Sequence, residues 1–86
     1  MREQKLPPIP SKQAEKYLKK LDAKTRNRLG KGIVGIPVGD VKPLEGATDY
    51  FRLTIGDYRI IYKWVSDSQI FISRIDPRGD IYKGAW

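Results

Sequence analysis

The stretch FRLTIGDYRIIYKW, residues 51–64, constrains the chain more than any other. Two runs of alternating apolar residues flank Gly56-Asp57. A two-residue loop with glycine first suits a type II′ turn between antiparallel strands. That loop fixes the register: Ile55 opposite Tyr58, Thr54 opposite Arg59, and Arg52 opposite Ile61. Phe51, Leu53 and Ile55 then share a face with Tyr58, Ile60, Tyr62 and Trp64. Tyr50, Arg52 and Thr54 take the other face, where Arg52 and Arg59 become diagonal neighbours roughly 7–8 Å apart at the backbone.

The flanking sequence supplies the rest of one small domain spanning 1–86. Ser11 is an N-cap for a helix to about Leu21, with Ala14, Leu18 and Leu21 as its buried stripe, Tyr17 beside it, and Lys12, Lys16, Lys19 and Lys20 outward. Asp22 caps a second helix in which Leu29, Ile33 and Ile36 repeat the spacing. Gly30, Gly32 and Gly35 weaken its second half, and Pro37 ends it. Residues 11–36 therefore read as a basic helical hairpin. Residues 1–10 read as an arm or a weak edge strand, because Pro7, Pro8 and Pro10 cannot donate ladder hydrogen bonds. Val38 to Asp49, with Gly39, Pro43 and Gly46, reads as a connecting loop tacked to the core by Val41 and Leu44. After the turn Ser66-Asp67-Ser68, Gln69 to Ile75 reads as a third strand with apolar residues on both faces. DPRGD is a loop, and Ile81-Tyr82 a short strand or turn. The sheet spans 50–82, and the class is α+β.

Composition narrows the chemistry. Among 86 residues there is no cysteine and no histidine. Disulfide frameworks, thiolate zinc sites and histidine-based triads or metal hydrolases are thereby set aside, and no metal or cofactor is expected. The N-terminus has no apolar signal core and no stretch is long enough for a membrane span, so a cytoplasmic protein without a membrane partner is expected. A net charge of +7 favours a polyanionic partner: nucleic acid, an anionic surface or an acidic protein.

Arginine's planar fork grips phosphate oxygens bidentately and stays charged at physiological pH. Arg52 and Arg59 on one sheet face, with Arg78 on the loop that follows, can converge on one phosphate. Arginines on an exposed sheet face also serve solubility alone, and spacing does not separate the two readings. Tyr82 and Tyr50 can stack on bases or simply pack. Asp76 and Asp80 bracket Arg78 and are read as its ion-pair partners rather than as bases. Lys20, Lys24, Arg26, Arg28 and Lys31 can track an RNA or ribosomal backbone, or form a solvated helix face.

Two helices followed by LEGATDYFRLTIGDYRIIYKW, an apolar strand and DPRGDIY closely resemble the RelE/ParE toxin superfamily, whose members read like "L-x-G … Y-R-L-R-x-G-x-Y-R-I-I-Y … I-x-H-R-x-D-V-Y". The likeness is continuous from Val41 to Tyr82. It implies an antiparallel sheet with two helices on one face, and a toxin of a type II toxin–antitoxin system neutralised by a cognate antitoxin. Operator DNA would be met only through the antitoxin complex. The RelE-like branch implies a metal-independent endoribonuclease that cuts mRNA in the ribosomal A site by attack of the 2′-OH on the adjacent phosphate. Arg52, Arg59, Arg78 and Tyr82 match the family's catalytic positions. The ParE-like alternative implies inhibition of DNA gyrase through a protein contact, and a third possibility is an antitoxin-binding relative without activity. Thr54 departs from a second Lys or Arg found in many members, and Pro77 from a histidine found in several.

Overall fold

The computed structural model describes residues 3–36, 38–44, 46 and 49–77. Its elements in chain order are β1 (Ile9–Pro10), α1 (Lys12–Lys20), α2 (Ala23–Val34), β2 (Asp40–Pro43), β3 (Tyr50–Ile55), β4 (Tyr58–Trp64) and β5 (Ile70–Pro77). The five strands form one sheet in the order β1-β5-β4-β3-β2. All neighbours are antiparallel except β1, which runs parallel to β5. The α+β class is thus observed with a mixed rather than wholly antiparallel sheet.

Both helices start where their caps dictate. The Ser11 hydroxyl accepts from the Ala14 N–H, and the Asp22 carboxylate accepts from the Thr25 N–H and hydroxyl. The latter bonds hold the Asp22 carboxyl below its ordinary pKa, the Thr25 hydroxyl being the larger cause. Ala14, Leu29, Ile33 and Ile36 pack with Leu53, Ile60, Tyr62, Ile70, Ile72 and Ile75 into one core on the helical side of the sheet. The helix α2 runs regularly through Gly30 and Gly32 and stops at Val34, so Ile36 joins the core from beyond the helix end. At Gly32 a Cβ would collide with Ile55, including Cγ1 at 3.1 Å, so glycine lets α2 lie close against β3.

Two expectations are corrected and one alternative is decided. Residues 40–43, read as loop, form β2, because Val41 turns inward against the core while Pro43 sits at an edge strand, where a missing N–H is tolerated. Of the two readings of residues 1–10, the weak edge strand is the one observed: β1 is two residues long and lies at the other edge, where its proline is accommodated. Strict alternation along β5 also fails: opposite Ile61 and Tyr62 stand Arg74 and Ile72, leaving Ser73 extra in a bulge. The bulge puts Ile70, Ile72 and Ile75 all on the core face, so β5 does not carry apolar residues equally on both faces.

Beyond the short β1, the outer edge of β5 would expose backbone groups. Gln13 of α1 covers them: its Oε1 accepts from the Ile75 N–H at 3.0 Å and its Nε2 donates to the Ile75 carbonyl at 2.9 Å. The side-chain amide stands in for a strand residue and closes an edge that could otherwise pair with another chain. Among the described residues no helix is long and apolar enough to cross a membrane.

Candidate functional site

The β3–β4 register is the one the turn requires. Ile55 pairs with Tyr58, Thr54 with Arg59 and Arg52 with Ile61. Gly56 has φ +55° and, among the described residues, no non-glycine residue has positive φ, which matches a type II′ turn with glycine first. Arg52 and Arg59 therefore occupy the sheet face opposite the helices.

The same pairing extends the face across four strands. Lys42 lies beside Arg52, Arg52 beside Ile61, and Ile61 beside Arg74, making one transverse row. Strands are spaced about 4.8 Å, so the row's three cations lie within roughly 15 Å at the backbone. The next row holds Thr54, Arg59 and Asp76, and a third holds Tyr50, Lys63 and Phe71. Lys63 Nζ stands 5.4 Å from the centroid of the Tyr50 ring.

The middle of this face is deep. Ile61 is only 1% exposed and Arg59 7%, although neither belongs to the helical face. Register places Ile61 between Arg52 and Arg74, whose aliphatic stems can flank it while their charged ends stay outward. Asp76, also 7% exposed, forms an ion pair with Arg74 Nε and accepts from Gln13 Nε2 at 3.4 Å. Asp76 was expected to pair with Arg78; the described partner is Arg74. A carboxylate held by α1 on one side and by Arg74 on the other fixes a guanidinium next to Arg59's row.

The two groups of candidate residues lie on different layers. Arg52 and Arg59 share the face just described, with Tyr50 on its margin. Lys20, Lys24, Arg26, Arg28 and Lys31 are exposed on the helical layer, on the other side of the sheet. Two of them have structural engagements: Arg26 donates to the Leu21 carbonyl at 3.1 Å, and the Arg28 guanidinium rests against the β3–β4 turn at Gly56. Arg78, Tyr82 and Asp80 lie outside the described residues. Arg74, Lys42 and Lys63 escaped the sequence reading. The phase slip between Ile72 and Ile75 was the available signal for Arg74, and the inward Val41 beside Lys42 the signal for β2.

Residues 9–82 match the family model described as ParE toxin of type II toxin-antitoxin system, parDE. The chain belongs to this toxin family. The toxin also resembles solved structures of toxin–antitoxin complexes. A chain of the archaeal RelE–RelB complex from Pyrococcus horikoshii OT3 is 31% identical, with TM-score 0.64, 93% of this chain and 99% of that one being covered. A chain of the RelB–RelE antitoxin–toxin complex from Methanococcus jannaschii is 26% identical, with TM-score 0.69 and coverage of 86% and 94%. The RelBE2 toxin–antitoxin complex from Mycobacterium tuberculosis supports the fold alone, at 21% identity, TM-score 0.70 and coverage of 91% and 100%. No curated protein matches the toxin.

Proposed function

We propose that this toxin is a ribosome-dependent endoribonuclease that cleaves mRNA in the ribosomal A site. The observation that carries the proposal is the arginine-bearing sheet face: Arg52 and Arg59 diagonal across β3–β4, extended by Lys42 and Arg74 in register. In-line attack of an RNA 2′-oxygen on its own phosphate builds charge on the non-bridging oxygens. Preorganised guanidinium donors aimed at that charge are the largest single source of catalysis available to such a site.

Arg52 and Arg59 hold and stabilise the scissile phosphate. Arg78 adds a third guanidinium, and Tyr82 stacks on a base or assists proton movement; both roles come from the family likeness. Asp76 orients Arg74 instead of taking a proton, because its carboxylate is already engaged by Arg74 and Gln13. The exposed cations of the helices steer the toxin to ribosomal RNA, which makes engagement strongly salt-dependent. The partners are then the cognate antitoxin and the translating ribosome, in the cytoplasm.

The family's own description as ParE favours a second reading, inhibition of DNA gyrase through a protein contact. The two part company in one experiment. Purified toxin is incubated with ribosomes and a defined mRNA, with and without a chelator, and the message is mapped by primer extension; a parallel reaction follows gyrase supercoiling. Discrete ribosome-dependent cuts that survive chelation support the nuclease. An uncut message with blocked supercoiling supports the second reading.

A further inference from the structure

The outer face of the sheet carries more than cations. Among the described residues, every aromatic ring except Tyr50 and Phe71 lies in the core or packs against it. Those two stand in one transverse row on the face away from the helices, with Lys63 between them. Tyr50 pairs with Lys63, and Lys63 with Phe71, and all three are partly exposed. Ile9, 42% exposed, continues the row on β1 beside Phe71.

The position of this row is what gives it a use. It adjoins the row of Arg52, Ile61 and Arg74, two residues along β3 and hence about 7 Å away. A single-stranded nucleotide held by its phosphate on the arginines puts its base over such a neighbouring row. Bases stack on aromatic rings whatever their sequence, whereas a phosphate gains nothing from Phe71. The Lys63 ammonium, 5.4 Å from the Tyr50 ring centroid, already marks that ring as open to a partner from this side.

We infer that Tyr50 and Phe71 form a nucleobase subsite for single-stranded RNA beside the phosphate-binding arginines. The inference deepens the nuclease reading and rests on it for the identity of that RNA as message. The two rings lie two strand spacings apart, about 10 Å at the backbone, so each takes one base splayed out of its own stack. Lys63 then leaves the Tyr50 ring for the phosphate joining the two nucleotides. The ammonium trades a ring quadrupole for an anion, so the ring face is vacated without stranding a charge.

The test uses the full toxin and a short 2′-O-methyl RNA, which lacks the attacking hydroxyl, against an abasic oligomer of equal length. Binding is followed by fluorescence anisotropy over a salt series, and the melting temperature of each variant is recorded. Wild type is expected to bind the base-bearing oligomer at least about tenfold more tightly than the abasic one. Tyr50→Leu and Phe71→Leu, which keep apolar bulk without a ring, should each remove much of that difference, while Tyr50→Phe retains it. Lys63→Gln should weaken both oligomers and lower the salt slope by about one.

Equal affinity of wild type for the two oligomers, or binding of neither, overturns the inference. So does a base preference that survives both leucine substitutions. A loss confined to antitoxin binding in those variants also overturns it, by assigning the row to a protein contact. A toxin that leaves ribosome-bound message uncut yet prefers bases through Tyr50 keeps the subsite and loses the nuclease reading. Ribosome-dependent cuts by a toxin with no base preference do the reverse.

Discussion

Arg52 and Arg59 stand diagonally across the β3–β4 pair on the face away from the helices, because Arg52 is opposite Ile61 and Arg59 is opposite Thr54. Neither arginine can leave that face without a shift of the hairpin by one residue, which would turn Leu53 and Ile60 out of the core. The two positions are thus protected by the same packing that makes the hydrophobic side. The turn that sets the register then becomes a functional element.

Replacing Gly56 tests that link. An alanine must adopt φ near +55°, and its Cβ would fall 2.5 Å from Arg28 Nη2. Gly56→Ala is expected to cost about 1–2 kcal/mol from backbone strain alone, read as a lower urea midpoint with unchanged slope. Arg28→Ala in the same background should recover the part due to the collision and none of the strain.

Gln13 is expected to matter more than a surface glutamine ordinarily would. Gln13→Ala leaves the Ile75 N–H and carbonyl without their described partners and removes one support of Asp76. A loss of about 1–3 kcal/mol follows for an unsatisfied buried group. Amide exchange at Ile75 should accelerate well beyond that at Ile60 in the neighbouring strand.

Tyr62 makes stability depend on high pH. Its ring is 1% exposed, and burial pushes the phenol up to about 12 from 10.0. Between those values the unfolded chain gives up the proton while the folded one keeps it, so ionisation favours unfolding. The stability is fully present below about pH 10 and falls through the interval, with a limiting slope near ~1.4 kcal/mol per pH unit. Tyr62→Phe should remove that component of the slope when both proteins are unfolded in urea from pH 8 to 11. Parallel pH dependences in the two proteins contradict it.

Arg74 should behave as a contributor to the cationic face rather than as a structural residue. Its side chain is only part-exposed and its partner Asp76 is buried, so glutamine, which keeps a donor for that carboxylate, is the substitution that isolates the loss of charge. Arg74→Gln is expected to lower activity on ribosomes severalfold with a small change in melting temperature. Asp76→Asn, which keeps the shape but loosens Arg74, should lower activity in the same direction.

Much of this molecule is written locally. Ser11 and Asp22 announce their helices, and Gly56-Asp57 sets the hairpin so tightly that every pair between Tyr50 and Lys63 follows. What escaped was non-local. Strand β2 is four residues beside two glycines and a proline, and only its pairing with β3 makes it a strand. The parallel contact of β1 with β5 joins residues 62 apart, as Ile9 with Phe71. The Ser73 bulge reverses the alternation, so Arg74 moved to the face of Arg52 although simple counting had placed it with Ile70 and Ile72. The relative placement of the helical cations and the sheet arginines was not legible in the sequence, and the layering of the fold puts them on opposite sides.

The central claim is that the sheet face bearing Arg52 and Arg59 cuts ribosome-bound mRNA. Its most direct test is primer extension on a defined message with purified ribosomes, comparing wild type, Arg52→Ala and Arg59→Ala, each shown to be folded by thermal melting. The account predicts discrete cuts by wild type that are independent of added metal and weaker by about 10²–10³ in either folded variant. Equal cutting by the variants, or no cutting by a folded toxin that still arrests growth, contradicts it.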